Sequence, residues 1–302
     1  MAQRNGRQAT PVVPLRGQRK RVKFKELFFL LGIKPRIRHY GCTKVSRTTP
    51  EGEPFFWAQW QHPKARNLNP DLNSIAYFRT ILKDGDVCID IGAHVGDTTL
   101  APALVLGKKG LVIALEPNPG TFSVLQKNVE FNRDKVNIHA INAAAMEQPG
   151  TYTFKYGDPG LFNGGAQDGI SRWRHAAAFE VQVEGINLPD YMRTHLPGSE
   201  SRVRFIKMDT EGHDFAVFRS LRPIVERCRP ILECEINRNM QDADREGLLD
   251  ALIGLDYQVF RLDLDVPSAQ RTEITRENRA SLPRQQTFDI LAVPREKADR
   301  SR

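Results

Sequence analysis

Three short runs of apolar residues alternate with segments of helical periodicity in the middle of the chain. The runs occupy residues 86–91, 111–115 and 136–141, and turn-forming or polar residues bound each of them. The segments between them place apolar side chains three or four residues apart, which is typical of an amphipathic helix. This order of strand and helix, with continuously apolar strands, predicts a parallel sheet that is covered by helices on both faces.

The same rhythm resumes in the second half of the chain after an interruption. Two alternating, strand-like segments at 151–156 and 179–184 enclose a long polar loop, residues 157–178, in which we place a substrate gate because long loops in compact domains are usually functional. Helices are predicted at 188–195 and 246–253. Four more strands bring the predicted Rossmann-like, mostly parallel sheet to seven, at residues 203–209, 230–237, 257–262 and 288–293.

A glycine turn follows the first predicted strand. Asp90 lies near the end of that strand, and Gly92 and Gly96 stand four residues apart before a segment that can start a helix. Ligands of open α/β sheets bind at the carboxyl ends of the strands, where glycines expose backbone N–H groups and a helix start favours negative charge. The dinucleotide fingerprint Gly-x-Gly-x-x-Gly is not met, because His94 occupies its second glycine position. We therefore interpret the turn as a site for S-adenosylmethionine.

This donor presents an amino acid, a ribose and an adenine, and each needs its own partner. We expect the backbone of Gly92, Ala93 and Gly96 to hold the amino-acid end, with Asp90 near the ammonium. Glu116 ends the next strand, where one carboxylate can accept hydrogen bonds from both ribose hydroxyls.

The adenine ring needs an apolar slot and a few polar groups. Phe122 or Val95 is expected to form the slot, and Asn142 and Ala143 lie near it after the third strand. The predicted cofactor-binding set is Asp90, Gly92, Ala93, Gly96, Glu116 and Asn142.

A second charged element ends the strand at residues 203–209. Lys207, Asp209 and Glu211 are expected at the same crevice as the glycine turn. An alcohol is a poor nucleophile until its proton is removed, so Asp209 or Glu211 is expected to be the base, with Glu235 sharing that task or orienting the acceptor. These four residues form the predicted catalytic set. The structural alternative is that Glu211 caps the next helix and Lys207 pairs with it.

The same region is compatible with a metal site, and it favours oxygen as the atom that accepts the methyl group. Asp209, Glu235 and Asn237 carry oxygen ligands that suit Mg²⁺, but we assign no metal ligand. His94 and His213 are interpreted as loop and helix-start residues rather than as catalysts. The strand end lacks the Asn/Asp-Pro-Pro-aromatic motif that accompanies methylation of nitrogen.

The net charge of +8 is concentrated at the N-terminus. Residues 1–40 contain eleven basic residues against Glu26 alone, a net +10, so the remaining residues sum to −2. We expect residues 1–65 to form a basic, partly disordered N-terminal segment and residues 66–302 the catalytic domain. A nearly neutral body does not predict a nucleic-acid-binding face.

The N-terminal segment is too weakly apolar for a membrane span or a secretory signal. Its apolar core, residues 27–31, is short. A solvated tail or a packed helix is favoured, and peripheral contact with an anionic membrane is the alternative. The four cysteines show no paired metal spacing and are interpreted as free thiols in a reducing cytoplasm.

Together, the stretches at 87–96, 116–118, 205–212 and 230–237 resemble the FkbM family of S-adenosylmethionine-dependent methyltransferases. The Lys-x-Asp-x-Glu-Gly element is the most specific part, and Lys207, Asp209, Glu211 and Gly212 match it. The resemblance implies a class I methyltransferase fold and O-methylation of polyketides, sugars or other secondary metabolites. His213-Asp214 departs from the family pattern, in which a small residue and Glu are common.

The sequence thus predicts an O-methyltransferase for a hydroxyl on a sugar, glycan or natural product, with a small-molecule or glycan partner. Two alternatives stay open. One is an RNA methyltransferase that holds phosphates with its basic tail, and the other is a non-catalytic scaffold that binds the cofactor.

Overall fold

A central mixed sheet forms the core of the chain. The computed structural model describes residues 36–156, 158, 160–162, 179–262 and 272–298. The strands of this part are β1 (Cys42–Thr48), β2 (Pro54–Trp60), β3 (Val87–Ile91), β4 (Leu111–Leu115), β5 (Ile138–Ile141), β6 (Ala144–Ala145), β7 (Gly150–Tyr156), β8 (Phe179–Ile186), β9 (Val203–Met208), β10 (Ile231–Ile236), β11 (Tyr257–Leu262), β12 (Thr272–Ile274) and β13 (Phe288–Pro294). The α-helices are α1 (Ile75–Ile81), α2 (Leu100–Leu106), α3 (Pro119–Asn132), α4 (Leu188–His195), α5 (Asp214–Cys228), α6 (Asp242–Gly254) and α7 (Arg295–Ala298).

The central sheet has eight strands in the order β12-β11-β13-β10-β9-β3-β4-β5. β3, β4, β5, β9 and β10 are parallel, whereas β13 runs antiparallel to β10 and β11. This arrangement confirms the predicted Rossmann-like class I fold but corrects the count of seven strands. The additional strand, β12, is a three-residue edge strand, which is too short to show a period in the sequence.

The central strands alternate their side chains between two helical layers. In β3, Val87, Ile89 and Ile91 belong to a core that α4, α5 and α6 cover. Cys88 belongs to a second core on the other face, which α1 and α2 cover. Because successive strand residues point to opposite faces, Asp90 shares the face of Cys88.

β1 and β2 form an antiparallel hairpin that packs on α3. The Asn128 side chain accepts a hydrogen bond from Ala58 N at 2.7 Å and donates to Val95 O at 2.8 Å. Asn132 accepts from Phe56 N at 2.8 Å and donates back to Phe56 O at 2.7 Å. These two amides satisfy backbone groups on one edge of β2 and fix the hairpin to the core. The predicted domain boundary at residue 65 stays a prediction.

A small sheet of order β6-β8-β7 rises beside the central one. Most of the loop predicted as a substrate gate, including residues 163–178, lies outside the described residues, as does most of the basic N-terminal segment, residues 1–35. The gate and the membrane contact therefore stay predictions. All four cysteines are free, and Cys88 and Cys234 are buried. Within the described ranges, no helix combines the length and the apolar character that crossing a membrane requires.

Candidate active site

A cavity of about 310 Å³ lies at the carboxyl ends of β3, β4 and β9. Residues 115–118 form one wall, residues 209–211 form another, and the start of α5 contributes Val217. Met146, Tyr152 and Phe154 close the cavity from the small sheet, a contribution that the sequence did not predict. A volume near 300 Å³ is at the lower end of the range for small-molecule sites.

The turn after β3 brings the two predicted halves of the site together. Gly92 N and Ala93 N both donate to Leu115 O, at 3.0 and 2.9 Å, and Asp209 N donates to Ile91 O at 3.0 Å. These bonds join the ends of β3, β4 and β9. Gly92 has φ +85°, a conformation that side chains rarely adopt.

Glu116 lines the cavity and is only 6% exposed. Its Oε1 accepts from Asn118 N and its Oε2 accepts from His94 N, both at 2.8 Å. Burial raises the pKa of this carboxyl, although the His94 charge and the two backbone N–H groups oppose the shift. Each carboxylate oxygen has room for a further donor, so Glu116 can still accept two hydroxyls.

Asp90 acts behind the glycine turn rather than inside the cavity. It is 4% exposed, and its Oδ2 accepts from Thr98 Oγ1 at 2.9 Å and Thr99 Oγ1 at 2.6 Å. Burial raises its pKa despite those hydroxyls. Asp90 is absent from the residues that line the cavity, so its predicted contact with the donor ammonium has no support from its position.

Gly96 likewise lies away from the cavity lining. It has φ +92°, and a Cβ atom there would lie 2.9 Å from Leu125 Cδ1. This glycine therefore lets the turn pack closely on α3. Ala93 is fully buried beneath the turn.

The predicted adenine partners are only partly brought to the cavity. Ala143 lines it, whereas Asn142 is exposed and donates to Glu116 O at 2.8 Å. Val95 is buried against the hairpin, and Phe122 of α3 packs against Ala93, Ala114 and Leu125. Neither residue lines the cavity. Asn142 thus holds the end of β4 in place.

His94 contributes more to the site than the sequence suggested. Its ring lines the cavity, and its Nε2 lies 3.2 Å from Phe162 O. Burial alone would lower the pKa of His94, but its hydrogen bond with Asp97 and the charges of Asp97 and Glu116 outweigh burial and raise it. The feature of the sequence that could have indicated this contribution is the position of His94 inside the glycine turn.

Phe162 is held by aromatic residues of the hairpin region. Its ring stacks on Trp60 at 5.7 Å and on His62 at 5.0 Å, measured between ring centroids. His62 Nε2 lies 3.2 Å from Asp158 Oδ1. The described start of the predicted gate loop is therefore anchored beside the donor turn.

Asp209 and Glu211 line the opposite wall of the cavity. Glu211 has φ +55°, and the following Gly212 has φ +105°, which turns the chain sharply after β9. Burial raises the pKa of Glu211, and the neighbouring Asp209 charge adds to the shift. A carboxylate that binds a proton more tightly than usual suits a general base.

Asn237 links Glu211 to Glu235. Its Nδ2 donates to Glu235 Oε2 at 2.8 Å and to Glu211 Oε2 at 3.3 Å. Burial raises the pKa of Glu235 to about 7, and the charges of Asp209 and Glu211 add to the shift while Asn237 opposes it. Glu235 does not line the cavity, so it can act on an acceptor only through Glu211 and Asn237.

Asp214, the first residue of α5, is a buried carboxyl that the sequence did not single out. Its pKa is raised to about 8, mainly by burial, and the charges of Glu235 and Asp209 contribute to this shift. In the described part of the chain, no group of three or more His, Cys, Asp or Glu is arranged to hold a metal ion.

The family model described as a methyltransferase FkbM domain matches residues 90–262, more than half of the chain. The chain belongs to the FkbM methyltransferase family. This confirms the resemblance that the Lys-x-Asp-x-Glu-Gly element carried, and the domain is an S-adenosylmethionine-dependent methyltransferase domain.

Individual relatives of this FkbM chain are distant. Methyltransferase 1 of Beauveria bassiana is 29% identical over 150 residues, which are 46% of this chain and 59% of that protein. The chain thus matches about three fifths of that relative's length.

Solved structures are more distant still. The crystal structure of the FkbM methyltransferase from Methylobacillus flagellatus KT has 15% identity and a TM-score of 0.43, with 73% of this chain and 52% of that chain covered. An rRNA methylase from Streptococcus thermophilus has 13% identity and a TM-score of 0.41, with 75% and 96% covered. These similarities carry no argument about the acceptor.

The FkbM cavity fits the parts of S-adenosylmethionine on its own geometry. The Glu116 carboxylate faces the cavity with free acceptor capacity, which suits a ribose diol. Ile91, Leu115 and Ala143 supply apolar surface for a base or a methylene chain. Which residues contact the cofactor stays a prediction, with Gly92, His94 and Glu116 the best placed.

Proposed function

We propose that the chain is an S-adenosylmethionine-dependent O-methyltransferase that acts on a hydroxyl of a sugar, glycan or secondary metabolite. The observation that carries the proposal is the shared cavity of Glu116, Asp209 and Glu211. One wall offers a carboxylate for a ribose, and the other offers two carboxylates for an alcohol. The close approach of Gly92 to Asp209 keeps the two walls adjacent.

In this proposal, Glu211 is the general base and Asp209 orients the acceptor hydroxyl. S-adenosylmethionine supplies the activated methyl group when it is bound. Glu211 accepts the hydroxyl proton as the acceptor oxygen bonds to the methyl carbon and the carbon–sulfur bond breaks. The raised pKa of Glu211 supports this role, because a base is most effective when its pKa approaches the working pH.

The charge of the cavity favours a neutral or cationic acceptor. Four acidic residues line it, Glu116, Glu147, Asp209 and Glu211, and Glu147 is paired with Arg219 at 2.8 Å. No Lys or Arg occurs among the described lining residues. A phosphate brought to these carboxylates would be repelled, so this wall supports a sugar or polyol over RNA.

The proposal is tested by transfer of tritiated methyl from S-adenosylmethionine to neutral sugars, amino sugars and polyols, with an RNA transcript in parallel. We expect an alkali-stable methyl ether on a hydroxyl compound, and loss of transfer in Glu211→Gln. Labelling of RNA alone, weakened steeply by salt, would support the RNA alternative.

A matched variant separates an enzyme from a cofactor-binding scaffold. Asp209→Asn should keep cofactor binding, measured by isothermal titration, and should transfer methyl groups at least about 10-fold more slowly, as expected for a positioning contact. Wild-type protein that binds the cofactor but labels no class of acceptor would favour the scaffold.

We also propose a cytoplasmic location. The four free cysteines support it, because a reducing compartment keeps thiols unpaired. Fractionation of cells that express the full chain would test this location.

A further inference from the structure

A row of charged side chains crosses the central sheet on the face opposite the cavity. In the parallel pairing of the strands, Lys207 lies beside Asp90 of β3 on one side and beside Glu233 of β10 on the other. Alternation along β9 sends Phe205 to the core of that face, and Lys207 shares its direction. One buried cation therefore lies between the buried Asp90 and the partly buried Glu233.

Lys207 contacts both its strand neighbour and the acceptor side of the site. Its Nζ lies 3.5 Å from Glu233 Oε1 and 3.4 Å from Asp209 Oδ2, and the residue is 9% exposed. Burial alone would lower the pKa of Lys207, but the charges of Glu233, Asp209, Asp90 and Asp289 outweigh it and raise it. The ammonium is therefore charged at neutral pH, and a buried charge of this kind needs its partners.

Asp90 connects the charged cluster around Lys207 to the donor turn. Its Oδ2 is held by Thr98 and Thr99, the residues that lead into α2, while its buried Oδ1 has no hydrogen-bond partner in the described chain. Asp90, Lys207 and Glu233 line a second cavity of about 40 Å³ together with Asp71. A cavity of that size, with Asp90, Lys207 and Glu233 in an otherwise largely apolar wall, has room for one ordered water beside these charges.

Lys207 thus contacts Asp209 of the acceptor wall and lies beside Asp90 of the donor side in the sheet, and it does not line the main cavity. Asp209 presents its side chain to the acceptor wall, and Asp90 fixes the start of α2 behind the glycine turn. We propose that Lys207 is a positioning residue, whose single buried ammonium holds Asp209 and Asp90 together and so sets the separation between donor turn and acceptor wall. This inference rests on the donor side of the proposed function and does not depend on the identity of the acceptor.

The test is the affinity for S-adenosylmethionine between pH 6 and pH 9, measured by isothermal titration in wild type and Lys207→Met. Without the cation, the ionised carboxylates of Asp90, Asp209, Glu233 and Asp289 repel each other and spread the strand ends. Burial raises the pKa of Asp90, Glu233 and Asp289, so these three acids take up protons as the pH falls and the repulsion decreases. We expect the ratio of dissociation constants, variant over wild type, to rise from about 3 at pH 6 to about 30 at pH 9. A tenfold rise is what results if cofactor binding shifts the pKa of one of these acids by about one unit in the variant.

Three further variants make the result decisive. Lys207→Arg keeps the cation and should restore affinity to within about threefold at every pH. Glu233→Gln removes a partner that faces neither half and should change affinity by less than about twofold. The double variant Lys207→Met/Glu233→Gln has one fewer unpaired acid than Lys207→Met, so it should fold even if Lys207→Met does not. Its ratio of dissociation constants, variant over wild type, should rise less with pH.

A ratio that stays constant with pH would overturn the proposal, because lost packing alone does not titrate. So would unchanged affinity in Lys207→Met, or in the double variant if the single one is unfolded. Absence of methyl transfer to any hydroxyl compound would instead refute the proposed acceptor and leave this measurement intact.

Discussion

A Cβ atom built on Gly92 would lie 2.0 Å from the backbone oxygen of Asp209. No real Cβ atom tolerates such a contact, and the partner is backbone, so it cannot rotate away. The donor turn and the acceptor wall are therefore in direct contact at a position that only glycine can occupy. The relationship spans two motifs more than 110 residues apart in the chain.

Gly92→Ala is expected to separate the two walls. The alanine would add a backbone clash to an unfavourable φ, so we expect a loss of about 2–4 kcal/mol in the free energy of unfolding and no measurable affinity for S-adenosylmethionine. Urea unfolding and isothermal titration measure the two effects. Gly41→Ala is the control, since nothing lies within 4 Å of its Cβ position; equal effects in both variants would contradict the assigned contact.

Glu116→Gln is expected to weaken donor binding with little change in fold. Gln keeps one oxygen, which can accept from only one of the two backbone N–H groups, and it loses the second acceptor oxygen and the charge that accepts from two hydroxyls. A hydrogen bond to a charged group contributes about 1.5–3 kcal/mol, so the dissociation constant should rise about 10- to 100-fold. Glu130→Gln, on the exposed face of α3, should leave titration with the cofactor unchanged. A Glu116→Gln protein with wild-type affinity would remove the ribose assignment.

Glu235→Gln is expected to stabilise the protein at high pH. The pKa of Glu235 is raised to about 7, so the folded state binds this proton more tightly than the unfolded state does. The stability that the proton supports is present at low pH and is lost as the pH rises through 7. Melting temperatures should therefore favour the variant most at pH 8–9 and converge with wild type toward pH 5.

An exposed glutamate provides the comparison for that experiment. Glu226 is ion-paired with Arg222 on the surface of α5, and Glu226→Gln should show no gain at high pH. A Glu235→Gln difference that is flat from pH 5 to pH 9, or that grows at low pH, would contradict the burial of this carboxyl.

Phe162→Ala is expected to loosen the donor turn through His94. The stacking on Trp60 and His62 is lost, and with it the placement of the carbonyl beside His94 Nε2. We expect a stability loss of about 1–3 kcal/mol and a three- to tenfold weaker affinity for S-adenosylmethionine. Phe260→Ala, in half-buried β11, should cost comparable stability and leave the affinity unchanged.

Local patterns predicted the elements well where each element carried its own period. The helix predicted at 188–195 coincides with α4, and the apolar runs at 111–115 and 257–262 coincide with β4 and β11. The helix predicted at 246–253 lies within α6, which begins four residues earlier, at Asp242. The three residues of β12 were missed because an edge strand that short has no pattern of its own.

In the candidate site, too, the residues predicted correctly were those that a local pattern indicates. The glycine turn, Glu116, and the Asp209 and Glu211 pair were identified because each follows directly on an apolar strand, and strand ends share one edge of a parallel sheet. The roles expected for Asp90 and Lys207 depended instead on which face each side chain takes and on which strand lies beside it. Met146, Tyr152 and Phe154 reached the cavity through a second sheet that the sequence did not place.

The sequence by itself thus determined the order of strands and helices, the family, and the location of the site at the carboxyl ends of the strands. These features follow from short-range periodicity and from motifs of adjacent residues. Only the tertiary structure decided that β9 lies next to β3, which puts Asp209 against Gly92 and Lys207 beside Asp90. The physical reason is that strand pairing is non-local: it depends on how complete faces pack, and no single segment contains that information.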